Sequence, residues 1–179
     1  DRSTLTQLLT MTNEWATYIN NTQNFHCIYY DQKAAFDRIN HNLLLHKLGS
    51  IGLHHRTRVW LGDFLDRRSY RVKVGNSLSK AYPAPSGVPQ GACISPLLYA
   101  IFVLDLGRCL PEGVRYLMFA DELKTFSMIT GEESHQTLQR AADAVVEWCT
   151  HNGMALSTSK CVVLQNGFPN LKYHINGAE

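Results

Sequence analysis

The chain has 179 residues, a formal net charge of +2 at pH 7 and a hydrophobic content of 45%. This length and composition predict one globular domain, and the small charge excludes a strongly basic nucleic-acid-binding module. No apolar run is long enough for a membrane helix, and five cysteines without a C-x-x-C pair predict free thiols, so we expect an intracellular protein of the nucleus or cytoplasm with no membrane partner.

The first elements are a helix and a strand. Apolar residues recur at helical spacing over residues 5–19, which predicts a helix with Ser3 as its N-cap. The run Phe25–Tyr30 is apolar and aromatic, and it predicts a strand that ends at Asp31. This strand therefore places a carboxylate where the chain turns.

Two helices are predicted next. The first begins at Asn40 or His41 and stops at Gly52, a residue type that commonly ends helices. The second covers His55–Leu65. Its inward-facing residues are predicted to be Val59, Trp60 and Phe64.

A basic hairpin follows these helices. The apolar period changes to two at Tyr70 and Val72, which are predicted to face inward, and Gly75-Asn76-Ser77 forms a turn into Leu78–Tyr82. The basic residues in and beside the hairpin are Arg67, Arg68, Arg71 and Lys73. They either contact nucleic-acid phosphates or form a solvated edge that blocks aggregation, and the second explanation is favoured.

A buried helix and a second hairpin occupy the middle of the chain. Ser95-Pro96 is a strong helix start, and the apolar run Leu97–Leu106 predicts a helix that is nearly all buried. The hairpin pairs Val114–Phe119 with Leu123–Met128. Asp121-Glu122 is predicted to form its tip, although glycine or asparagine is usual there. This mismatch favours a chemical role for the two acids.

The last elements complete an α+β fold. Glu132–Asn152 is predicted to be an amphipathic helix, and Cys161–Leu164 and Leu171–Ile175 to be short strands. Helices and antiparallel strands are mixed rather than regularly alternating, which predicts one sheet backed by helices. No internal repeat or linker is visible, so residues 1–179 are interpreted as one domain.

Asp31 and Asp121 each end an apolar strand. If the two strands are neighbours, the carboxylates form an acidic pair at one edge of a sheet. Such a pair suits Mg²⁺, because hard oxygen ligands hold this ion and two ions can clamp the attacking and leaving oxygens of phosphoryl transfer. On position alone, capping of the turn after its strand is the commoner role for a residue such as Asp31, and Asp121 is also explained as a polar residue of a hairpin tip.

Four motifs in order carry a family resemblance. They are Asp31 with Ala35-Phe36-Asp37, Ser86-Gly87-Val88-Pro89-Gln90-Gly91, Ser95-Pro96-Leu97-Leu98, and Phe119-Ala120-Asp121. Together they resemble the reverse transcriptase domain of non-LTR retrotransposons of the jockey-like and chicken-repeat-like type. The resemblance implies a polymerase palm with partial fingers and without the thumb. We expect a fragment of a longer polyprotein that has little activity alone.

The resemblance also implies a reaction and its components. The family joins deoxynucleotides (dNTPs) to a DNA primer on an RNA template, using two Mg²⁺ ions or Mn²⁺ in their place. By this resemblance Asp31, Asp121 and Glu122 are the catalytic and metal-binding residues. Glu122 departs from the family, which has a second aspartate there. Since Mg²⁺ demands near-ideal octahedral geometry, we expect the longer side chain to reduce activity.

Four residues are predicted to contact the nucleotide. They are Phe36, Gln90, Gly91 and Lys160. Phe36 matches the family's aromatic wall beneath the sugar, Gln90 offers a donor and an acceptor, and Lys160 matches a lysine near the triphosphate. From spacing alone, Phe36 is as well explained as a core residue and Lys160 as a surface residue. Asp37 is predicted to cap the next helix or to support Asp31.

The sequence is also compatible with two other functions. The first is a degenerate or repurposed palm that serves as a scaffold or nucleic-acid binder, which Glu122 favours and the intact Asp31 and Asp121 oppose. The second is a palm-type nucleotidyl cyclase, which also uses two acids for phosphoryl transfer. The Pro89-Gln90-Gly91 loop and Phe36 count against the cyclase.

Overall fold

The computed structural model describes residues 4–178, which divide into two compact units. The sheet unit contains residues 4–33 and 105–178, and the inserted unit is Ala34–Leu104. Both units mix helices with antiparallel strands, so the predicted α+β fold is confirmed. Within residues 4–178, no helix is both long enough and apolar enough to cross a bilayer.

Helices and strands are numbered in chain order within the described residues. The helices are α1 (Thr4–Asn20), α2 (His41–Ser50), α3 (His55–Leu65), α4 (Ser95–Phe102) and α5 (Glu132–His151). The strands are β1 (Asn24–Asp31), β2 (Ser69–Tyr70), β3 (Lys73–Val74), β4 (Ser77–Leu78), β5 (Tyr82–Pro83), β6 (Arg115–Phe119), β7 (Glu122–Ile129) and β8 (Val162–Asn166).

The sheet unit is built on four antiparallel strands in the order β6-β7-β1-β8. Strand β1 lies inside the sheet, and its residues are buried almost without interruption. Its run of aromatic and β-branched residues suits that central position. The predicted strand ending at Asp31 and the predicted hairpin of β6 and β7 are both present.

Helix α1 packs on one face of this sheet. Trp15 stacks on Phe25 with ring centroids 4.9 Å apart and meets Phe126 edge-on at 6.3 Å. These contacts bury the beginning of β1, whereas Tyr29 and Asp31 near its end remain half-buried. The end of the strand that carries the carboxylate is therefore open to solvent.

Helix α5 packs against β7 on the opposite face. Leu123 and Ile129 of β7 are buried, and they alternate along the strand with Phe126, which faces α1. The predicted apolar stripe of α5 is buried in full: Leu138, Ala142, Val145 and Trp148. The helix ends before Gly153, whose φ of +69° requires the left-handed conformation that glycine adopts easily.

The two ends of the sheet unit differ from the sequence-based expectation. The first helix exists, but Leu5, Leu8 and Leu9 on it are 50–63% exposed. The predicted N-cap Ser3 lies outside the described residues. Leu171–Ile175 is not a strand: side chains of α5 bond its backbone instead, since the Gln139 amide pairs with the N–H and C=O of His174 at 2.9 and 2.8 Å.

A buried histidine stabilises the region between β1 and this segment. His26 is wholly buried, with its Nε2 2.8 Å from the Gly167 carbonyl and its Nδ1 2.8 Å from the Tyr173 hydroxyl. A carbonyl only accepts, so Nε2 carries the proton and Nδ1 accepts from the tyrosine O–H. Burial lowers the pKa of His26, because the charged ring would lose its hydration.

The inserted unit contains three α-helices, a short 3₁₀ helix at Ala35–Asp37 and two small antiparallel strand pairs, β2 with β5 and, between them in the chain, β3 with β4. Helix α2 packs against α3 and α4. It begins as predicted after Asn40, whose side chain accepts from the backbone N–H of Leu43 at 3.0 Å. The core of the inserted unit is formed by buried residues of all three helices: Leu44, Leu48, Leu61, Leu65, Leu98 and Phe102.

Helix α3 has the predicted bounds but not the predicted orientation. Val59 and Trp60 are 50% and 56% exposed, and the buried residues are Leu61 and Leu65. Trp60 stacks on the half-buried Phe64 instead of entering the core. The helix carries apolar residues on two faces, and the leucine face packs inward.

Two further burial predictions are wrong. Leu97 and Leu104 are more than half exposed, so the α4 region is buried on one face rather than throughout. Tyr70 and Val72 are also exposed, because the hairpin has no covered face. Its turn is Gly75-Asn76 alone, since Ser77 already pairs with Val74.

Candidate active site

The end of β1 and the start of β7 bring two carboxylates together. Asp31 pairs directly with Glu122 in the antiparallel register, and directly opposed residues of a sheet share one face. The Asp31 side chain is 40% exposed and that of Glu122 is 70% exposed. Both carboxylates are thus accessible to an ion from solvent.

Asp121 lies beside this pair, in the turn between β6 and β7. The turn is Ala120-Asp121 rather than Asp121-Glu122, because Phe119 pairs with Glu122. Ala120 has a φ of +50°, which is uncommon for a residue other than glycine. The prediction that the strands leading into Asp31 and Asp121 are neighbours is wrong, because β7 lies between β1 and β6. The hairpin tip is also shifted by one residue, and it is the return strand β7 that places Glu122 opposite Asp31.

Two lysines flank the carboxylates. The ammonium Nζ of Lys160 lies 3.7 Å from Asp31 Oδ2, and Nζ of Lys124 lies 3.7 Å from Glu122 Oε2. Lys160 is the last residue of a 3₁₀ turn, Thr158–Lys160, that starts where the Ser157 N–H donates to the Asp31 carbonyl at 2.8 Å. The same backbone contact that fixes Asp31 therefore holds Lys160 near it.

Asp31, Glu122 and the two lysines line an open groove of about 420 Å³, whereas Asp121 is not among its lining residues. Its walls include Tyr29 and Lys124, whose ring and ammonium group are 5.1 Å apart. Sequence reasoning did not single out either residue. The alternation of side chains along a strand could have identified both, because residues two positions apart share a face. Lys124 lies two residues after Glu122 on β7, and Tyr29 lies two residues before Asp31 on β1. Burial raises the pKa of Tyr29 to about 12, so its phenol stays neutral.

The donor set is compatible with a divalent cation. Among residues 4–178, no three or more His, Cys, Asp or Glu side chains are already arranged around a common metal position. Mg²⁺, however, is usually held by one or two carboxylates together with water and substrate phosphates. The facing carboxylates of Asp31 and Glu122, with Asp121 adjacent in the chain, fit that mode of binding.

In the inserted unit, Phe36 is half-buried and stacks on the buried ring of Tyr99. The two centroids are 4.9 Å apart and the planes are inclined by 16°. One face of the Phe36 ring is therefore fixed by Tyr99. Both explanations from the sequence, a packed aromatic residue and a wall for a ligand, agree with this contact.

Asp37 contacts Gln90 and does not cap a helix. Its carboxylate accepts from the Gln90 amide, with Nε2 3.2 Å from Oδ1 and 3.4 Å from Oδ2. The cap of α2 is Asn40, so the predicted capping role of Asp37 is wrong. The Asp37–Gln90 contact was not foreseen, because the residues lie 53 positions apart.

The glycines of the loop Ser86–Gly91 serve different purposes. A Cβ on Gly87 would lie 2.6 Å from the Cα of Asp37, so this glycine permits close approach to protein backbone rather than to a ligand. Gly91 has a φ of +87°, and no atom lies within 4 Å of its Cβ position. The predicted nucleotide contact of Gly91 stays a prediction.

Arg68 is hydrogen-bonded to the protein backbone, whereas the basic residues near it in sequence are exposed to solvent. It donates to the carbonyls of Leu65, Ser86 and Gly87 at 2.9, 3.1 and 2.5 Å. Burial lowers the pKa of its guanidinium. By contrast Arg67, Arg71 and Lys73 are exposed, and the nearest acid to Arg67 is its neighbour in sequence. The predicted solvated edge describes these three residues well.

The fold is shared with a telomerase of known structure. Apo telomerase from Candida tropicalis, truncated from its C-terminal domain, superposes with a TM-score of 0.66. The match covers 95% of this chain and 36% of that chain, at 16% sequence identity. At this identity the likeness establishes the architecture.

The chain belongs to the reverse transcriptase (RNA-dependent DNA polymerase) family, whose model matches residues 2–175. It is 28% identical over 143 residues to the RNA-directed DNA polymerase from the mobile element jockey of Drosophila melanogaster, covering 74% of this chain and 15% of that protein. It is 27% identical over 154 residues to the probable RNA-directed DNA polymerase from transposon BS of the same species, covering 82% and 17%.

These relatives confirm the resemblance to non-LTR retrotransposon reverse transcriptases that the four motifs predicted. The chain is a reverse transcriptase domain of this type. It spans less than a fifth of the length of these two relatives.

Proposed function

We propose that this chain supplies the catalytic residues of an RNA-directed DNA polymerase that extends a DNA primer with dNTPs on an RNA template. The observation that carries the proposal is the direct cross-strand pairing of Asp31 with Glu122, with Asp121 in the adjoining turn. Family membership adds the reaction class. The rest of the parent polyprotein would grip the primer and template.

In this proposal Asp31, Asp121 and Glu122 hold two divalent cations, Mg²⁺ or Mn²⁺. The bound cations would lower the proton affinity of the primer 3′-hydroxyl and neutralise charge on the phosphates. Lys160, 3.7 Å from Asp31, would exchange its carboxylate partner for a phosphate when the cation binds. The side chains of Lys160 and Asp31 are 70% and 40% exposed, which allows that exchange.

The inserted unit would contact the nucleotide itself. Phe36 is proposed to lie beneath the sugar, with its ring held by Tyr99 so that it resists displacement by a 2′-hydroxyl. Gln90 and Gly91 are proposed to line the same nucleotide. The exposed Arg71 and Lys73 are proposed as weak, sequence-independent contacts to template phosphates.

Primer extension by the complete parent protein on an RNA template, with Mg²⁺ titrated, tests the proposal. Asp31→Asn and Asp121→Asn should each lower the rate by at least about a hundredfold, since each removes a charged ligand where negative charge develops. Asp63→Asn, an exposed aspartate on α3, is the matched control and should behave as the unchanged protein. Full activity of Asp31→Asn would refute the proposal and favour a non-catalytic scaffold.

A second experiment tests the sugar contact. Replacing Phe36 by valine removes the ring that Tyr99 supports, so ribonucleotide incorporation should rise relative to deoxynucleotide incorporation. Leu97→Val, an exposed substitution on α4, provides the control. An unchanged ratio of the two substrates in Phe36→Val would refute the proposed wall.

A further inference from the structure

Helix α1 carries a second apolar face besides the one that packs on the sheet. Trp15 and Tyr18 on the packed face contact Phe25 of β1. Four large apolar side chains on the other face are 50–63% exposed: Leu5, Leu8, Leu9 and Ile19. Single exposed leucines are normal on a protein surface, but several on one face of a helix indicate a contact with another molecule.

The exposed apolar side chains form one straight stripe along α1. At 3.6 residues per turn, they fall with two small exposed residues within about 100° of the helix circumference. We call this set the α1 stripe: Leu5, Leu8, Leu9, Thr12, Ala16 and Ile19. The stripe contains no charged side chain. Glu14, the charged residue of α1, lies outside the stripe and pairs with Arg115 of β6 at 2.6 Å.

The polar residue at the centre of the stripe already has a hydrogen-bond partner. The Thr12 hydroxyl donates to the Leu8 carbonyl of its own helix at 2.9 Å. Covering Thr12 would therefore leave no side-chain donor unpaired, which is the usual cost of burying a threonine. A partner of the stripe needs to supply only apolar surface.

The stripe matches itself when it is read in the reverse direction. Leu5 lies seven positions before Thr12, and Ile19 lies seven positions after it. Leu8 lies four positions before Thr12, and Ala16 lies four positions after it. In an antiparallel pair of α1 helices that cross at Thr12, each Leu5 meets Ile19 of the second copy. Each Leu8 meets an alanine there, and a large residue opposite a small one lets two helices approach closely.

The charge of α1 favours a second copy over other partners. Residues 4–20 contain no lysine or arginine. Helices that bind nucleic acid or lie on a membrane surface depend on these residues. An uncharged stripe also places no like charges opposite each other when it packs on its own copy.

We propose that the α1 stripe is a dimer contact, in which the α1 helices of two copies of this chain pack antiparallel about a two-fold axis at Thr12. An isologous contact of this kind is closed, so it gives dimers and not filaments. One helix pair buries less than the roughly 1,200 Å² at which stable interfaces begin, so the dimer should be weak and form at micromolar concentrations. No stripe residue is assigned a role in the proposed polymerase function, so the contact can be tested independently of it.

Sedimentation equilibrium of the 179-residue chain, from about 1 to 500 µM, measures the contact. The average mass of the unchanged chain should rise with concentration towards that of a dimer. Leu8→Glu places an unpaired charge in the contact and should raise the dissociation constant at least about tenfold. Thr10→Glu is the matched control, because Thr10 is exposed on the same helix but lies outside the stripe. It should dimerise as the unchanged chain does.

Crosslinking tests the antiparallel arrangement directly. The exposed Cys93 and Cys109 are first replaced by serine, and a short bis-maleimide then joins single introduced cysteines. Thr12→Cys should crosslink to its own copy. Leu5→Cys should crosslink to Ile19→Cys in a mixture of the two chains, but not to itself, because the two copies of position 5 would lie about 20 Å apart. Mass spectrometry of the joined peptides identifies each pair.

Three results would overturn the proposed dimer. The first is an unchanged chain that stays monomeric at every concentration, which would leave the stripe to a different partner. The second is a folded Leu8→Glu variant that dimerises as well as Thr10→Glu. The third is a Leu5→Cys chain that crosslinks to itself while Thr12→Cys does not, since this pattern excludes antiparallel helices crossing at Thr12. If Leu8→Glu does not fold, the crosslinks decide the question.

Discussion

Gly87 is the position where a single methyl group should be most damaging to the inserted unit. Its φ of +79° places an L-residue in the left-handed region, at a cost of about 1–2 kcal/mol. A Cβ there would also lie 2.6 Å from the Cα of Asp37 and 2.8 Å from the carbonyl oxygens of Phe36 and Asp37. These are backbone atoms, so the two segments must separate.

That separation breaks two hydrogen bonds. The N–H groups of Gly87 and Val88 donate to the carbonyls of Ile39 and Phe36, both at 2.8 Å. Each bond contributes about 1 kcal/mol, so Gly87→Ala should lower the free energy of unfolding by about 3–4 kcal/mol. Gly91→Ala is the matched control: its φ is +87°, but its Cβ meets nothing within 4 Å. It should lose only about 1–2 kcal/mol.

Urea unfolding of the 179-residue chain measures the difference. Tryptophan fluorescence should be recorded with Trp15 and Trp148 replaced by phenylalanine, so that Trp60 of the inserted unit reports alone. Gly87→Ala should shift the midpoint to clearly lower urea than Gly91→Ala. Equal shifts for the two variants would refute the close approach of the Ser86–Gly91 loop to Asp37.

Three further predictions follow from burial and charge. Burial lowers the pKa of His26 below its ordinary 6.5, so below that pH the unfolded chain binds a proton that the folded chain does not. The free energy of unfolding should therefore fall by up to about 1.4 kcal/mol per pH unit as the pH drops below 6.5. A His26→Gln variant whose free energy of unfolding has the same pH slope would contradict this. In the folded chain, a maleimide should label the exposed Cys93 rapidly and the buried Cys27 hardly at all, because burial raises the pKa of Cys27 to about 12. Mass spectrometry of the labelled peptides compares the two labelling rates. Glu122→Asp in the complete parent protein should raise Mg²⁺-dependent incorporation, and equal rates would show that the longer side chain is no handicap.

The elements with a clear period were predictable from the sequence. The α5 stripe of Leu138 and Val145 and the strand ending at Asp31 are both found where the pattern places them. Helix α3 shows the limit of such reasoning. Its bounds follow from the pattern, but apolar residues occupy two faces, and only packing against α2 selects Leu61 over Trp60.

The candidate site was predictable in part for a similar reason. The ends of the predicted strands indicated where the carboxylates would lie. The turn between β6 and β7, however, lies one residue earlier than predicted, so Glu122 rather than Asp121 pairs with Asp31. Contacts between distant loop residues carried no sequence signal. The bond from Arg68 to the Ser86 carbonyl depends on the folded path of an intervening hairpin, which no local pattern specifies.

Mn²⁺ binding to the 179-residue chain, measured by electron paramagnetic resonance, tests whether the paired carboxylates of Asp31 and Glu122 hold a divalent cation. We expect saturable binding that Asp31→Asn weakens and that Asp63→Asn leaves unchanged. Lys160→Ala should tighten binding roughly twofold to fivefold, because it removes an exposed cation 3.7 Å from Asp31 that competes with the metal. Identical Mn²⁺ binding by the unchanged chain and by Asp31→Asn would show that Asp31 is not part of a cation site.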